Sequence, residues 1–297
     1  MVDKPAGPTS HDIVDRVRRA LGERRVGHTG TLDPFATGVL PVCVGKATRL
    51  VRFLALGDKV YEARVRLGFA TTTDDLTGDP LGPVRPVTID EAAIHAALGG
   101  LTGTIDQIPP AFSAKRVQGK RLYEVAREGG AVSPGPSRVT VHEIRVQERA
   151  ADSLRIEVRC SPGTYIRAIA RDLGQALGCG GHLTELRRTR SGVFGLESAL
   201  PGDAVDAGAR DHLLPLRDCL REWPAVHVNE EGKRALRHGR DLSRGLVAHG
   251  FPEGAPPEWL RVLDEEGELL ALAVPRGFGP DATTEPTLHP DVVLLTL

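Results

Sequence analysis

The length, composition and charge of the chain exclude several classes of protein. Of its 297 residues, 40% are hydrophobic and 34 are glycine, which is typical of a folded chain with room for about two domains. The 38 basic and 39 acidic residues leave a net charge of −1, so any attraction for nucleic acid must be local. No apolar run reaches the ~18 residues of a spanning helix, and we expect a cytoplasmic protein with no membrane partner.

Two helices are indicated by their first residues. Thr9 and Asp12 form a capping box at the start of an amphipathic helix. Thr88 and Glu91 form a second box, and the helix that it opens is expected to stop at Gly99–Gly100. Both segments are therefore predicted to pack one apolar face on a core.

Strands are indicated by alternation of apolar and polar residues. Residues 60–67 and 154–160 alternate in this way, so each is predicted to bury one face of a sheet. A turn then leads into a helix over about residues 164–177, with Arg167 and Arg171 off its apolar stripe. Because helices and strands do not alternate regularly, the pattern favours an α+β fold with a mixed sheet over a doubly wound one.

The composition changes close to residue 222. From Ala225 onward the chain holds 7 basic and 12 acidic residues, which leaves an excess of cations before that point. A hairpin is predicted from strands over 259–263 and 269–274. We therefore divide the chain into residues 1–222 and a small β-rich domain over 223–297.

The segment Gly27–Pro41 is a poor helix and a poor strand. Its glycines permit close approach of a ligand, and Pro34 biases Asp33 toward an extended backbone. The loop can thus present one carboxylate as a nucleophile or base, although a carboxylate that caps a turn fits the pattern too. The cations on either side of the loop form a local positive setting that could receive phosphates: Arg24, Arg25, Lys46, Arg49 and Arg52.

Three familiar kinds of site are excluded. Gly38 and Gly45–Lys46 are spaced wrongly for a Walker loop, and Ala47 replaces its magnesium ligand. Ser10–Asp12 is a helix start, because the members of a hydrolase triad normally come from separate segments. The four cysteines contain no Cys-x-x-Cys pair, so we expect neither disulfides nor a metal site.

A resemblance decides between these readings of the loop. Four ordered segments carry it: Asp3–Gly7 with Ser10, Gly27–Pro41, Lys59–Gly68 and Cys160–Ile169. Together with the Pro109–Glu128 and Gly178–Arg188 segments, they resemble the bacterial TruB family of tRNA pseudouridine-55 synthases over most of residues 3–200.

The resemblance implies a fold and a domain order. It implies a pseudouridine synthase catalytic domain with a mixed, mainly antiparallel sheet over residues 1–222, followed by a PUA-like RNA-binding domain over 223–297. The family usually has a fuller apolar strand before the Asp3 motif than Met1–Val2 provides, so we expect the sheet to fray at that edge.

The resemblance also implies the catalytic residues and a reaction without a cofactor. Asp33 matches the essential aspartate, which acts as a nucleophile on the sugar or the base, or removes the ribose C2′ proton; all three roles stay open. Tyr61 matches a tyrosine that stacks on the uracil, and Arg167 an arginine that pairs with Asp33. By pattern alone, Tyr61 would be a core residue and Arg167 a surface cation.

Substrate-binding residues follow from the same match. Leu186 would pack beneath the uracil, His28 would lie against the target loop, and Tyr165 and Lys4 occupy matched motifs and are assigned to substrate binding. An insertion over about 109–138 resembles an RNA-gripping segment, although a solvated helix face would look alike. Its cations are Lys115, Arg116, Lys120, Arg121 and Arg127.

The expected partner is the T-arm stem-loop of tRNA, bound by a monomer that needs no guide RNA. An alternative is an RNA-binding protein that helps tRNA to fold and whose catalysis is incidental. A guide-dependent subunit is less favoured, because the insertion over 115–128 resembles the bacterial stand-alone type.

Overall fold

Helices and strands follow one another without a regular rhythm, as an α+β protein requires. The computed structural model describes residues 1–87, 90–113, 116–117, 120–121, 135–279 and 284–295. Its helices are α1 (Ser10–Leu21), α2 (Val51–Leu54), α3 (Glu91–Gly100), α4 (Ile166–Ala176), α5 (Val205–Gly208) and α6 (Glu230–Arg237). Within the described part, none has the length and apolar character needed to cross a membrane.

The strands vary from two to thirteen residues. In chain order they are β1 (Val2–Lys4), β2 (Val26–His28), β3 (Thr37–Leu40), β4 (Val42–Val44), β5 (Lys59–Leu67), β6 (Ala70–Thr71), β7 (Pro80–Leu81), β8 (Gly103–Gln107), β9 (Arg116–Val117), β10 (Lys120–Arg121), β11 (Ser137–Arg149), β12 (Ser153–Cys160), β13 (Gly181–Ser191), β14 (Phe194–Gly195), β15 (Leu200–Pro201), β16 (Ala225–Val228), β17 (Leu242–Ser243), β18 (Val247–His249), β19 (Leu260–Leu263), β20 (Leu269–Arg276) and β21 (Thr287–Val293).

A nine-stranded mixed sheet carries the first part of the chain. Its order is β15-β1-β3-β13-β5-β12-β11-β8, with β14 paired to β13. Only the β1–β15 and β3–β13 pairs are parallel, so the predicted mixed, mainly antiparallel sheet is confirmed. The expected frayed edge is wrong, because β15 covers the outer side of β1 and leaves Val2 only 4% exposed.

The alternation of residues along β5 places one face of the strand in the core. Tyr61, Ala63, Val65 and Leu67 are buried, as predicted, while the residues between them are partly exposed. Helix α4 packs its apolar stripe on this face of the sheet. This packing places α4 against β13 and β5.

The predicted helix starts were right in one case and wrong in the other. Thr9 and Asp12 form the predicted capping box of α1, with both of its hydrogen bonds present. Helix α3 is capped by Asp90, whose side chain accepts a hydrogen bond from the Ala93 amide, so the predicted box at Thr88 and Glu91 is wrong. Thr88 itself lies outside the described residues.

The C-terminal part forms a six-stranded sheet of its own. Its order is β17-β21-β20-β19-β16-β18, and the predicted hairpin appears as the antiparallel pair β19–β20. The sheet shares a core with the first part, where the ring of Phe53 lies 5.8 Å from that of Trp223 and 4.8 Å from that of Trp259. The two parts are therefore packed together and not joined by a free linker.

Two of the cations expected to receive phosphates lie at this contact. Arg49 donates to the carbonyl of Val293, and Arg52 forms an ion pair with Asp291 on β21. The structure shows that their guanidinium groups bind the C-terminal sheet, and the expected phosphate contact stays a prediction. The sequence pattern could not reveal partners about 240 residues away.

Two glycines with the same backbone angle provide a test of this packing. Gly7 and Gly38 both have a φ of +106°, but a Cβ on Gly7 would meet nothing within 4 Å, whereas one on Gly38 would lie 2.1 Å from the Arg188 carbonyl oxygen. Gly7→Ala is expected to cost about 1 kcal/mol of unfolding free energy through backbone strain alone. Gly38→Ala is expected to cost at least about 2 kcal/mol more, because β3 and β13 must separate. Denaturant titration of both variants measures the difference, and equal losses would contradict it.

Candidate active site

The loop that carries Asp33 is fixed by the start of helix α1. The hydroxyl of Ser10 donates to the Leu32 carbonyl at 3.0 Å and accepts from the Leu32 amide at 2.8 Å. On the other side of Asp33, its carbonyl accepts a hydrogen bond from the Ala36 amide at 3.0 Å, which closes a turn. The backbone on both sides of the carboxylate is thus held.

The side chain of Lys4 also holds this loop by hydrogen bonds. Its side chain is buried, and its Nζ donates to the carbonyls of Pro5 and Pro8 at 2.8 Å and of Pro34 at 3.2 Å. Burial lowers the pKa of this amine to about 8, against the opposing effect of Asp33. The assignment of Lys4 to substrate binding is corrected here, because the enclosed amine binds carbonyls of the protein and faces no open space.

Asp33 and Arg167 form a two-pronged ion pair. Arg167 Nε lies 2.9 Å from Asp33 Oδ2, and Nη2 donates to Oδ1 at 3.1 Å. The arginine side chain is 5% exposed and the aspartate side chain 31%, so the carboxylate is the part that reaches the open cleft. Two parallel charge-assisted bonds fix the plane of the carboxylate as well as its position.

Asp75 is a partner that the sequence reasoning missed. Its Oδ2 lies 3.4 Å from Arg167 Nη1, on the side away from Asp33. Its Oδ1 accepts hydrogen bonds from the side chains of Thr73 and Thr77 and from the Thr77 amide. Asp75 thus supplies the buried guanidinium with a second negative charge. Nothing in the polar run around it marks it, because its role comes from contact with α4.

The environment of Asp33 shifts its protonation. Burial raises the pKa of this carboxyl above its ordinary 3.8, and the negative charge of Asp75 adds to the rise. Arg167 and Lys4 act in the opposite direction. The group therefore ionises at a higher pH than an exposed aspartate, while the arginine keeps the ionised form bound.

A cavity of about 280 Å³ opens beside this carboxylate. Of the predicted site residues, it brings together Asp33, Tyr61, Tyr165, Arg167 and Leu186 on its walls. Tyr61 is 8% exposed, and burial raises the pKa of its phenol, so the hydroxyl keeps its proton at neutral pH. An aromatic and an aliphatic wall around one oriented carboxylate suits a flat polar ring.

Tyr165 is positioned by a reciprocal pair of hydrogen bonds. Its amide donates to Gln107 Oε1 at 2.8 Å, and its carbonyl accepts from Gln107 Nε2 at 3.1 Å. Gln107 is 1% exposed and ends strand β8. The contact fixes the N-terminus of α4, and with it Arg167 in the first turn.

Two further cations line the cavity and were not singled out. Arg188 is 1% exposed and donates to the carbonyls of Val39 at 2.7 Å and Gly30 at 3.1 Å. Lys59 donates to two carbonyls before β5, and burial lowers its pKa to about 8. Arg188 stands two residues after Leu186 on a strand, so the period of two could have placed it on the same face.

The remaining predicted binding residues are less fully described. His28 lies at the end of β2 and is outside the cavity walls; its Nδ1 accepts from the Gly30 amide at 3.2 Å, and burial lowers its pKa. Arg116 and Lys120 belong to β9 and β10, but their side chains lie outside the described residues, as do Lys115 and Arg127. Their assignments stay predictions.

Metal ligands are not grouped at the cleft. Among the described residues no cluster of three or more His, Cys, Asp or Glu side chains could hold a metal ion. The ionisable side chains that the cavity offers are one carboxylate, two phenols and three cations: Asp33, Tyr61, Tyr165, Lys59, Arg167 and Arg188. Such a set can perform acid–base or nucleophilic chemistry.

Two family models match consecutive parts of the chain. Residues 18–166 match the TruB family pseudouridylate synthase (N terminal domain), and residues 167–221 match the tRNA pseudouridylate synthase B C-terminal domain. The tRNA pseudouridine synthase B of Thermobifida fusca is 48% identical over 282 residues, which cover 92% of either chain. That of Solibacter usitatus is 39% identical and covers 99% of this chain and 98% of its own.

Solved structures share the fold over the whole chain. A chain from an H/ACA ribonucleoprotein bound to a substrate RNA containing 2′-deoxyuridine superposes with a TM-score of 0.72 at 26% identity, covering 99% of this chain and 84% of that one. A chain from a Cbf5-Nop10-Gar1 complex gives the same TM-score at 28% identity, with the same coverage. Both likenesses include the cleft and the C-terminal sheet.

Loss of the hydroxyl should change the unfolding free energy differently at two buried serines of the site. Ser113 lines the cavity, is 3% exposed, and finds no hydrogen-bond partner within the described ranges, whereas Ser10 has two. Ser10→Ala is expected to cost about 1–2 kcal/mol of unfolding free energy, because it leaves the Leu32 groups unpaired. Ser113→Ala is expected to stay within about 0.5 kcal/mol of the parent or to exceed it. Thermal and denaturant unfolding check both, and an equal loss in Ser113→Ala would contradict the description.

Proposed function

The chain belongs to the TruB family of pseudouridine synthases, and on this premise we propose that it acts alone on uridine 55 in the T arm of tRNA. Its activity is the isomerisation of tRNA uridine to pseudouridine. The position of the uridine, the T-arm substrate and the independence from a guide RNA are the proposed parts. The 39–51% identity to proteins named tRNA pseudouridine synthase B supports them, against 26–28% to the chains of the guide-type complexes.

The reaction is an isomerisation, so no atom is gained or lost overall. The bond between N1 of uracil and C1′ of ribose breaks, the base rotates while bound, and C5 joins C1′. The proton on C5 is lost, and N1 takes up a proton. The reaction needs a group that can attack or accept a proton and a pocket that keeps the detached base; it needs no oxidant and, we propose, no cofactor.

Asp33 is the group that we assign to the chemistry. The observation that carries the assignment is the two-pronged pair with Arg167, which orients one carboxylate toward the cavity. Fixed orientation lowers the barrier, because the reacting groups need no further ordering. The carboxylate can attack the sugar or the base, or remove the C2′ proton, and the geometry is compatible with each role.

Tyr61 and Leu186 are proposed to enclose the uracil. They face the same cavity from neighbouring strands, which gives the base a stacking surface and an apolar floor. The uridine must leave its stack to enter, at a cost of a few kcal/mol. Tyr165 on the cavity wall and His28 near the start of the Gly27–Pro41 segment are proposed contacts to the everted nucleotide or its neighbours.

The division of the chain into two domains is kept as a proposal. Residues 1–222 would carry the catalytic cleft with its insertion at about 109–138, and residues 223–297 would form a PUA-like RNA-binding domain. The acidic excess of the second part weakens long-range attraction for RNA, so its grip would depend on local contacts. We propose that the protein is a monomer and, because its substrate is tRNA, that it is cytoplasmic.

Assistance in tRNA folding is the alternative, and one experiment separates it from catalysis. A cell depleted of the protein is given either the parent chain or Asp33→Asn, and its tRNA function is measured. Full rescue by the inactive variant would favour the folding role, whereas rescue by the parent alone supports catalysis as the main role.

Asp33→Asn is expected to bind a T-arm hairpin with nearly the parent affinity and to form no pseudouridine. The amide keeps the shape of the side chain but can neither attack nor accept a proton, so a loss of at least about 10³-fold is expected. Mass mapping of the modified uridine in a bare transcript measures it. Asp152→Asn, at an exposed ion pair with Arg66, is the matched control and should keep full activity. Turnover by Asp33→Asn would remove the assignment of Asp33, and dependence on a second RNA would remove the stand-alone role.

The pH dependence of the single-turnover rate should report the ionisation of Asp33. The rate should rise with pH as the carboxyl loses its proton, with a midpoint above 3.8 because burial raises its pKa. Arg167→Gln should be slower and should move the midpoint to still higher pH, because the guanidinium lowers this pKa. Arg167→Lys keeps the charge and should move the midpoint less. An unchanged midpoint in Arg167→Gln would show that another group controls the rate.

A further inference from the structure

A second arginine–aspartate pair lies one helical turn along α4 from Arg167. Arg171 Nη1 is 3.0 Å from Asp74 Oδ2, and the two side chains are 24% and 12% exposed. Arg171 also donates to the Ile108 carbonyl at 2.9 Å and to Asp172 at 2.8 Å. None of these contacts belongs to the cavity wall.

The two arginines bind the same two segments of the chain. Arg167 donates to the Thr73 carbonyl at 3.0 Å and to the Phe112 carbonyl at 2.8 Å, and it pairs with Asp75. Arg171 binds Asp74 and the Ile108 carbonyl. Each arginine therefore joins α4 to residues 73–75 and to residues 108–112.

Asp74 stands between the two groups that Arg167 binds in this loop. The Thr73 carbonyl precedes it, and the Asp75 carboxylate follows it, and both contact Nη1 of Arg167. Asp74 is thus the neighbour of Arg167 as well as the partner of Arg171. Arg171 and Arg167 both act on the Asp74 carboxyl, since each holds its pKa down against the effect of burial.

The backbone of Asp74 is held in a conformation that few residues adopt. Its φ is +61°, and it is the one non-glycine residue with positive φ among those described. Its amide donates to the Thr71 carbonyl at 3.3 Å, and its carbonyl accepts from the Leu183 amide at 3.0 Å. The backbone of Asp74 is thus held by hydrogen bonds on both sides, which fixes the position from which its side chain extends.

The charges around the two pairs are nearly balanced. Three carboxylates form ion pairs with the two arginines: Asp33 and Asp75 with Arg167, and Asp74 with Arg171. Lys4 adds a positive charge near Asp33, and Asp172 also pairs with Arg171. Burial raises the pKa of Asp74, and Arg171 opposes this rise more strongly than Arg167 does. A buried carboxylate that loses its partner is left with an uncompensated charge, which is costly, so its interaction with any remaining cation gains weight. For Asp74, that cation is Arg167.

We propose that Arg171 is a positioning residue, which binds Asp74 and thereby leaves the guanidinium of Arg167 to Asp33. The inference rests on the proposed role of Asp33 as the reacting carboxylate. Without Arg171, Asp74 draws Arg167 away from Asp33, and the reacting group loses its orientation and part of its stabilising charge.

Neutralising both members of the pair distinguishes this role from a purely structural one. Arg171→Gln should slow single-turnover pseudouridine formation about 10-fold or more, with T-arm RNA affinity changed less than about 2-fold. Asp74→Asn combined with Arg171→Gln should return the rate to within about 3-fold of the parent, because no unpaired carboxylate remains. The acid midpoint of the rate should rise in Arg171→Gln and return in the double variant.

Two further variants keep the outcome decisive. Arg171→Lys retains the charge, so its single-turnover rate should stay closer to that of the parent than the rate of Arg171→Gln. This comparison with the parent remains informative if the glutamine variant folds poorly. Arg155→Gln removes an arginine from a more exposed pair with Glu62 and should leave the rate unchanged. Melting curves identify variants that are damaged overall.

Three results would overturn the proposal. They are a double variant as slow as Arg171→Gln, an acid midpoint that Arg171→Gln does not move, and a parent rate in Arg171→Gln. The first result would assign the effect to the bond with the Ile108 carbonyl. Pseudouridine formation by the parent chain, and its loss in Asp33→Asn, report on the proposed function separately.

Discussion

A single buried guanidinium connects the active site to the rest of the fold. Arg167 is 5% exposed, and each of its three nitrogens has an acceptor. Nε and Nη2 bind the Asp33 carboxylate, and Nη2 also donates to the Phe112 carbonyl. Nη1 binds Asp75 and the Thr73 carbonyl. A buried cation is tolerated only when it is paired in this way. The same contacts that make Arg167 stable therefore bring four distant parts of the chain together and orient the carboxylate.

The rest of the site is arranged so that this carboxylate has little freedom. Ser10 and Lys4 hold the backbone on either side of Asp33, and Arg188 holds the Gly30 carbonyl at the start of the same loop. All three supports come from regular strands or a helix. A group held by rigid elements is already in place when a substrate enters, which is how a fold contributes to rate without touching the reacting atoms.

The C-terminal sheet shows how cations can serve structure where the sequence suggests ligand binding. Arg49 and Arg52 bind β21. The ring of Phe53 contacts the rings of the tryptophans Trp223 and Trp259, which completes a common core. This contact fixes the second sheet relative to the cleft. The acidic C-terminal part is held by packing and by two cations from the first part, so it does not depend on its net charge to stay in place.

Local patterns identified much of the fold. The alternation in β5, the capping box of α1 and the β19–β20 hairpin each depend on residues that lie close together in the sequence. Each was therefore predicted from its own segment. The start of α3 was not, because Asp90 and Thr88 are both good caps and the choice between them depends on packing that the local pattern does not contain.

The sequence by itself predicted the mixed sheet from its irregular order of helices and strands, and the order of its motifs indicated the family and, through that resemblance, pointed to Asp33 as the reacting carboxylate. Only the tertiary structure decided that Lys4 supports the loop from inside, that Asp75 completes the environment of Arg167, and that Arg171 pairs with Asp74. Ion pairs between residues about one hundred positions apart depend on how α4 lies on the sheet, and no local periodicity carries that information.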